Sequence, residues 1–238
     1  PEAEALLRGA AEWRGRMVDF QRMRPLLTRL WQEAVPPGYA RILVGEMLAD
    51  GLEEAGEWDA AAAVIGDLEL LRRWCVSGGF GIAARACFDE AYLPELRPDD
   101  PDLVATGSPH DLGWRATPPP GIRRAFDPFA FLSPRRGAGY ALTQFRLDAP
   151  AEAVLTVDCP GHLRVWINDL PALVIDRFRA HLPRERAARV KLRSGWNRIL
   201  VKTVAGGIST FRAFLTDPAG RPLRLAEAYH ALRRRSWR

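Results

Sequence analysis

The residues whose types and spacing most suggest chemistry lie near the middle of the chain. Gly79, Gly81 and Ala84 stand in the order Gly-x-Gly-x-x-Ala, with Asp99 and Asp100 further on. With that spacing, about twenty residues from glycines to acid, a strand-turn-helix unit can hold a dinucleotide pyrophosphate on backbone N–H groups. The mechanism needs those glycines inside a βαβ unit. Here the preceding segment reads as helix, and a loop carrying Pro94, Pro98, Pro101 and Pro109 follows, so nucleotide binding is not expected. Ser108-Pro109-His110-Asp111 gathers the three residue types of a hydrolase triad, but triad members converge from separate elements and sequence neighbours point apart. Asp99-Asp100-Pro101-Asp102 would attract a cation, yet it lacks the alternation and glycine of a calcium loop. Cys75, Cys87 and Cys159 are odd in number and have no CxxC spacing, so they specify neither a disulfide framework nor a zinc site. No catalytic residue, metal or cofactor is assigned, and the chain is expected not to be an enzyme.

Binding chemistry is better represented in the second half. Leu163, Val165 and Ile167 alternate with His162, Arg164, Trp166 and Asn168; Val190 and Leu192 alternate with Arg189, Lys191 and Arg193. That period belongs to half-buried strands. Opposite the apolar residues stand Arg164, Trp166, Asn168, Arg189, Lys191 and, further on, Lys202. An aromatic ring with cationic and amide donors suits stacking and hydrogen bonding to a pyranose. A plainer reading packs Trp166 under a neighbouring loop or the helices, leaves the basic residues as a solvated face, and has Trp196 close one end of the sheets. The residues alone leave both open.

The elements that would position these groups divide at about one third of the length. The 238 residues suit two domains, and 47% hydrophobic with 26% charged residues is the composition of a folded globular chain. Residues 1–70 hold 7 Arg against 13 Asp and Glu, and residues 71–238 hold 27 Arg and Lys against 16. A basic second part raises the question of polyanions, but only Lys191 and Lys202 are lysines and no nucleic-acid-binding signature accompanies them, so nucleic acid is not expected as a partner. No apolar run reaches the roughly 18 to 20 residues needed to span a bilayer. The first residue is Pro1, with no signal-peptide pattern after it, and the expectation is a piece cut from a larger polypeptide.

The segment up to Val35 is rich in Ala, Leu, Glu and Arg and ends at Pro36-Pro37-Gly38, which predicts two or so helices. Val44, Leu48, Leu52 and Ala55 form one helical face before Gly56, and a second amphipathic stretch runs from Trp58 to about Trp74 through Ala61, Ile65, Leu68 and Leu71 or Arg72. Beyond Tyr140, strands are predicted at 143–147, 153–157, 163–167, 172–175, 190–192, 198–204 and 209–216. They are separated by Pro160-Gly161, Asn168-Asp169, Ser194-Gly195, Gly206-Gly207 and Asp217-Pro218-Ala219-Gly220. Short strands at this spacing mean an antiparallel sandwich or barrel. Residues 225–235 read as a closing helix with a basic tail.

Two resemblances sharpen this outline. The run from Leu48 to Ala61, with Gly56 in the turn and Trp58 after it, resembles the centre of one tetratricopeptide repeat. Val165-Trp166-Ile167-Asn168, then Arg177, then Val190-Lys191-Leu192-Arg193-Ser194-Gly195-Trp196-Asn197-Arg198-Ile199-Leu200-Val201-Lys202, resembles the galactose-binding-like jelly-roll modules of large bacterial multidomain proteins. Trp74 to Phe80, with Phe88, Leu93-Pro94-Glu95 and Trp114-Arg115, is similar to the opening of the same module. Where many relatives carry an acidic pair and an Asn-Gly hairpin, this chain has Cys159-Pro160-Gly161-His162 and Asn168-Asp169. The resemblance implies an α+β chain: a helical-hairpin segment over 1–73, a β-sandwich over 74–225, and a C-terminal helix and basic tail over 226–238. It also implies a non-catalytic accessory module for a glycan or a protein partner, or a scaffold with a degenerate sugar site, with Arg177 joining the ligand-facing residues. A periplasmic or extracellular place would follow from the resemblance alone.

Overall fold

The computed structural model describes residues 20–34, 39–68, 71, 73–97, 113–117, 125–132, 135–159, 161–176, 184–205, 209–223, 225 and 227–229. The acidic run 99–102, the cluster 108–111 and Arg177 lie outside them. The chain is a mixed α and β protein with antiparallel sheets, and it divides into two compact units, Pro1–Leu70 with Thr216–Arg224, and Leu71–Leu215 with Leu225–Arg238.

Helices make up most of the first unit. α1 (Phe20–Arg29) contains Pro25, which supplies no N–H, and passes into a π-helical turn at Leu30–Ala34. α2 (Tyr39–Glu54) buries Val44, Leu48 and Leu52. Ala55, expected on the same face, is exposed, because the helix has ended and Gly56 turns the chain at φ +79°. α3 (Trp58–Gly66) buries Ala61 and Ile65 and stops at Gly66, short of the predicted end near Trp74. Two glycines of α2 set how closely its neighbours approach. A Cβ on Gly51 would lie 1.9 Å from the Phe20 ring, and one on Gly45 would lie 2.8 Å from the Trp31 indole. Arg24 fixes the start of α3 by a two-pronged pair with Glu57, Nη2 to Oε2 2.8 Å.

The second unit holds the strands. β1 (Cys75–Phe80), β2 (Arg115–Ala116), β3 (Ala138–Leu147), β5 (Leu163–Ile167), β6 (Leu170–Ile175) and β8 (Gly195–Val204) form a sheet in the order β2-β1-β3-β8-β5-β6, with β10 (Glu227–Tyr229) also on β3. β7 (Arg184–Leu192), β4 (Ala151–Cys159) and β9 (Arg212–Thr216) form a second sheet in the order β7-β4-β9. Two expectations are overturned here. The residues before Gly81 are a strand and not a helix, and Glu227–Tyr229 pair with Gln144–Arg146 where a closing helix was expected. β1 was obscured by Gly78-Gly79, which breaks the apolar alternation. Gly79, at φ +94°, makes a bulge between Gly78 and Phe80.

Short helices α4 (Ala84–Asp89) and α5 (Leu93–Leu96) follow β1. Register places Val76, Ala141, Val201 and Val165 on one face of the large sheet, and Cys75, Leu142, Leu200 and Trp166 on the other. Every residue of β8 from Asn197 to Val204 is buried, so both faces are covered where this central strand runs. Trp74, with no exposed surface, stacks on Phe126 at 5.7 Å and meets Phe211 edge-on at 5.1 Å, while its indole N–H donates to Leu71 O at 2.9 Å. The segment joining the two units along the chain is thus part of the strand unit's core.

Gly137 precedes β3 at φ +66°, and a Cβ there would lie 2.0 Å from the Phe80 carbonyl oxygen. Backbone cannot yield as a flexible side chain does. Gly137→Ala is expected to cost about 2–4 kcal/mol through a left-handed conformation and a main-chain clash, read as a lower denaturant midpoint.

Candidate functional site

The outer face of the large sheet, where the ligand-facing residues were expected, is occupied by the chain itself. Phe80, Cys87 and Phe88 pack with Tyr140, Leu142, Leu200 and Val204, and Tyr92, Leu93, Trp114 and Trp166 join them at the margin. Lys202 lies in this layer with no side-chain exposure. Its ammonium donates to Glu95 Oε1 at 2.7 Å and to the Glu90 carbonyl at 2.5 Å. The Tyr140 hydroxyl donates to the same Glu95 oxygen, and the Tyr92 hydroxyl donates to Glu90 Oε2 at 2.7 Å. Burial pushes the Lys202 ammonium below its ordinary range and the carboxylate of Glu95 opposes that shift. Burial, followed by the Glu95 charge, raises the Tyr140 phenol far above its ordinary value. The expectation of Lys202 on a solvated or ligand-binding face is therefore wrong: alternation put it opposite the apolar set, but that opposite side is also interior.

Arg164 and Trp166 share this face. Arg164 pairs Nη2 with Asp89 Oδ1 at 3.0 Å and lies 4.5 Å above the Phe88 ring, and Trp166 is half-buried against the apolar layer. Around them runs a surface chain of charges, with Arg85 bound to Asp176 at 2.8 Å and His162 Nδ1 3.4 Å from Asp176. Desolvation holds the His162 imidazole below its ordinary value, against the pull of Asp176. Arg189 and Lys191 stand elsewhere, exposed on β7 of the second sheet and facing Val154 and Glu152 in register. The expected ligand-facing residues are thus split between two sheets.

Asn168 shows what the resemblance motif builds. Asn168 and Asp169 form the β5–β6 turn at φ +47° and +71°, both residues adopting the left-handed conformation that a two-residue hairpin of this type needs. The Asn168 Nδ2 group donates to Asn197 Oδ1 at 2.8 Å, and its Oδ1 accepts from Arg198 N–H at 3.1 Å. Asn197, 1% exposed, also accepts from Arg193 N–H at 3.0 Å and donates to Arg193 O at 2.8 Å and Gly195 O at 3.2 Å. Gly195 turns there at φ +83°. This side chain holds the corner at which the chain leaves one sheet, in β7, and enters the other, in β8. Of these residues the sequence assigned a ligand-facing role to Asn168 alone; Asn197 and Glu95 stood only as positions of the resemblance motifs, and Tyr140 only at the start of the strand region. The sequence signal at this corner is Ser194-Gly195, expected as a turn between strands.

The Gly79-x-Gly81 spacing has a structural cause as well. A Cβ on Gly81 would meet Cys87 Sγ at 2.4 Å and the Tyr92 hydroxyl at 2.5 Å. The strand before it pairs antiparallel with both neighbours, so no βαβ unit exists here. Among the described residues no group of three or more His, Cys, Asp or Glu could hold a metal ion, and no helix is long and apolar enough to cross a membrane.

No family model matches the chain, and no curated protein matches it. Solved structures show partial likeness. The beta-glucosidase from Kluyveromyces marxianus in complex with glucose has 14% identity and a TM-score of 0.34 over 50% of this chain and 16% of the enzyme. A family 35 carbohydrate binding module from Clostridium thermocellum has 13% identity and a TM-score of 0.25, over 35% of this chain and 75% of the module. The Epithelial Adhesin 9 A domain from Candida glabrata, in complex with Galb1-4GlcNAc, has 8% identity and a TM-score of 0.32, over 67% and 85%. The chain spans well under two thirds of the glycosidase lengths it matches.

Two predictions rest on these networks. Asn197→Ala strands the amide and carbonyl of Arg193 and the Asn168 amide, and is expected to cost about 2–4 kcal/mol in denaturant melts. For Tyr140, the unfolded phenol ionises above its ordinary value of 10.0 while the folded one keeps its proton. The unfolded state then binds fewer protons, so stability falls as pH rises above 10. Lys202, lowered from 10.5, acts in the opposite sense below that value. A series of melts from about pH 8 to about pH 12 should show the alkaline fall, and Tyr140→Phe should make it shallower.

Proposed function

We propose that the chain is a non-catalytic accessory fragment of a larger bacterial protein, one that positions its parent on a glycan. In this reading the strand unit is a galactose-binding-like jelly roll and the helices before it a tetratricopeptide-like hairpin. The observation that carries it is the corner at Asn197. The longest stretch of the resemblance, Val190 to Lys202, runs from β7 of one sheet into β8 of the other, and its polar residues build that crossing. The motif is architecture, as expected of a module whose ligand contacts lie in variable positions around a fixed frame.

A second reading, a scaffold for protein contacts with a degenerate sugar site, has its own observation. Arg164 pairs with Asp89 of α4 and Lys202 with Glu95 of α5, and Trp166 packs on the apolar layer, all on the face where a platform was expected. A printed array of neutral and uronate-bearing oligosaccharides tests the two. The leading reading expects the full chain to retain at least one glycan, with no new reducing ends released. An array on which the protein retains nothing favours the scaffold, and released reducing ends would overturn the non-catalytic role.

A further inference from the structure

Trp58, the first residue of α3, is 58% exposed, and no ring or cation of the described residues lies against its indole. Trp31 of the same unit is 7% exposed, beneath the Arg41 guanidinium. The turn that presents Trp58 is closed by its own backbone. Gly56 N–H donates to Glu53 O at 2.9 Å and Glu57 N–H to Leu52 O at 2.8 Å, with Gly56 in the left-handed conformation that ends a helix. Arg24 then grips Glu57, the residue before the indole, from α1. One helical turn beyond Trp58 on the same stripe stands Ala62, and one turn further Gly66, both exposed. A Cβ on Gly66 would have nothing within 4 Å. The indole is therefore continued by a strip without side-chain bulk.

Charge decides what suits this strip. Residues 50–59 include Asp50, Glu53, Glu54, Glu57 and Asp59 and no Arg or Lys. Arg24 neutralises Glu57. Glu54, which ends α2, and Asp59, in the first turn of α3, are exposed and have no cationic partner among the described residues. An exposed indole flanked by uncompensated carboxylates is complementary to a flat cation on an apolar stem. A guanidinium stacks on the ring while its N–H fork donates to carboxylate oxygens, whereas an ammonium is a more strongly hydrated point charge. The geometry points to the α2–α3 hairpin as the docking surface for an arginine-bearing segment of a partner protein, with Trp58 as the stacking surface and Glu54 and Asp59 as acceptors. The preformed turn keeps the ordering cost of binding low. A neutral pyranose would also stack on an indole, but it leaves both carboxylate charges uncompensated. This surface belongs to the helical unit and goes beyond the glycan reading, which concerns the strand unit.

The test measures binding of a short labelled peptide of alternating arginine and serine to the full chain, by fluorescence polarisation at low salt, against the lysine counterpart of that peptide. Wild type is expected to hold the arginine peptide several times more tightly than the lysine one, and added salt to weaken both. Trp58→Ala should weaken the arginine peptide about threefold or more, and Glu54→Gln combined with Asp59→Asn severalfold. Melting temperatures should stay near wild type, since all three side chains are exposed. Wild type that fails to bind the arginine peptide overturns the surface. Affinity undiminished in Trp58→Ala also overturns it, because charge attraction alone would then account for binding. A concentration-dependent dimer that Trp58→Ala dissolves assigns the strip to a second copy, and glycan retention lost in Trp58→Ala assigns it to a sugar; either result overturns the cationic occupant. If Trp58→Ala melts far below wild type, the double carboxylate variant carries the decision, and unchanged affinity there overturns the surface. Glycan retention by the wild type is scored separately, so failure here leaves the glycan reading standing.

Discussion

A charged ammonium with no water around it must be surrounded by acceptors, and Lys202 imposes that condition on the middle of the large sheet. It sits in the central strand β8 with no exposed surface, bound to Glu95 and to the Glu90 carbonyl. Neither acceptor is on the sheet. Both come from the segment around α4 and α5, so that segment has to lie over Lys202 or the charge is left uncompensated, a state that typically costs several kcal/mol. Tyr140, the cross-strand neighbour of Lys202, donates to the same carboxylate and so joins a third element to the pair. Gly81 belongs to the same requirement, since any larger residue would collide with Cys87 and Tyr92 in this layer.

The second constraint is the corner at Asn197. A strand that changes sheets must turn sharply, and a sharp turn leaves main-chain groups without ladder partners. Asn197 supplies those partners at Arg193 and Gly195, and Asn168 closes the same network from the neighbouring hairpin. Here one buried amide substitutes for several missing backbone bonds, which makes the position intolerant of residues that only donate or only accept. The two constraints fall on opposite ends of β8, and between them the strand is interior on both faces.

That double burial explains what could and could not be read from the residues. The strands around Leu163–Ile167 and Val190–Leu192 were legible because apolar and polar residues alternate there, and β3, β4 and β8 were found with ends a few residues short. Alternation reports that two faces differ. It does not say that the polar face meets water. Arg164, Trp166 and Lys202 were placed on the correct face, but the layer covering that face comes from residues 81–96, and nothing local to the strand announces it. β1 was missed because Gly78 and Gly79 carry no side chain to alternate, and β10 because three residues are too few to show a period. In the helical unit the buried seam was legible, but α3 ended early, since Gly66 and Asp67 stop a helix that apolar spacing alone would continue.

A covered sheet face also constrains where such a unit can meet a ligand. A pyranose laid on this face over Lys202 would have to displace the Glu95 side chain that partners it, and the energy released by one stacked ring, roughly 1 kcal/mol beyond its buried area, is smaller than the cost of stranding a buried charge. Opening that face to bind is therefore unfavourable. Arg189 and Lys191 make the same point from the other sheet. They are exposed, with Val154 opposite Arg189 and Glu152 opposite Lys191, and no aromatic ring stands opposite them in register, so they offer charge without a surface on which a sugar could stack. Of the two tryptophans in the resemblance motif, Trp166 is half-buried against that layer, and Trp196 stands beside Asn197, the side chain that holds the corner.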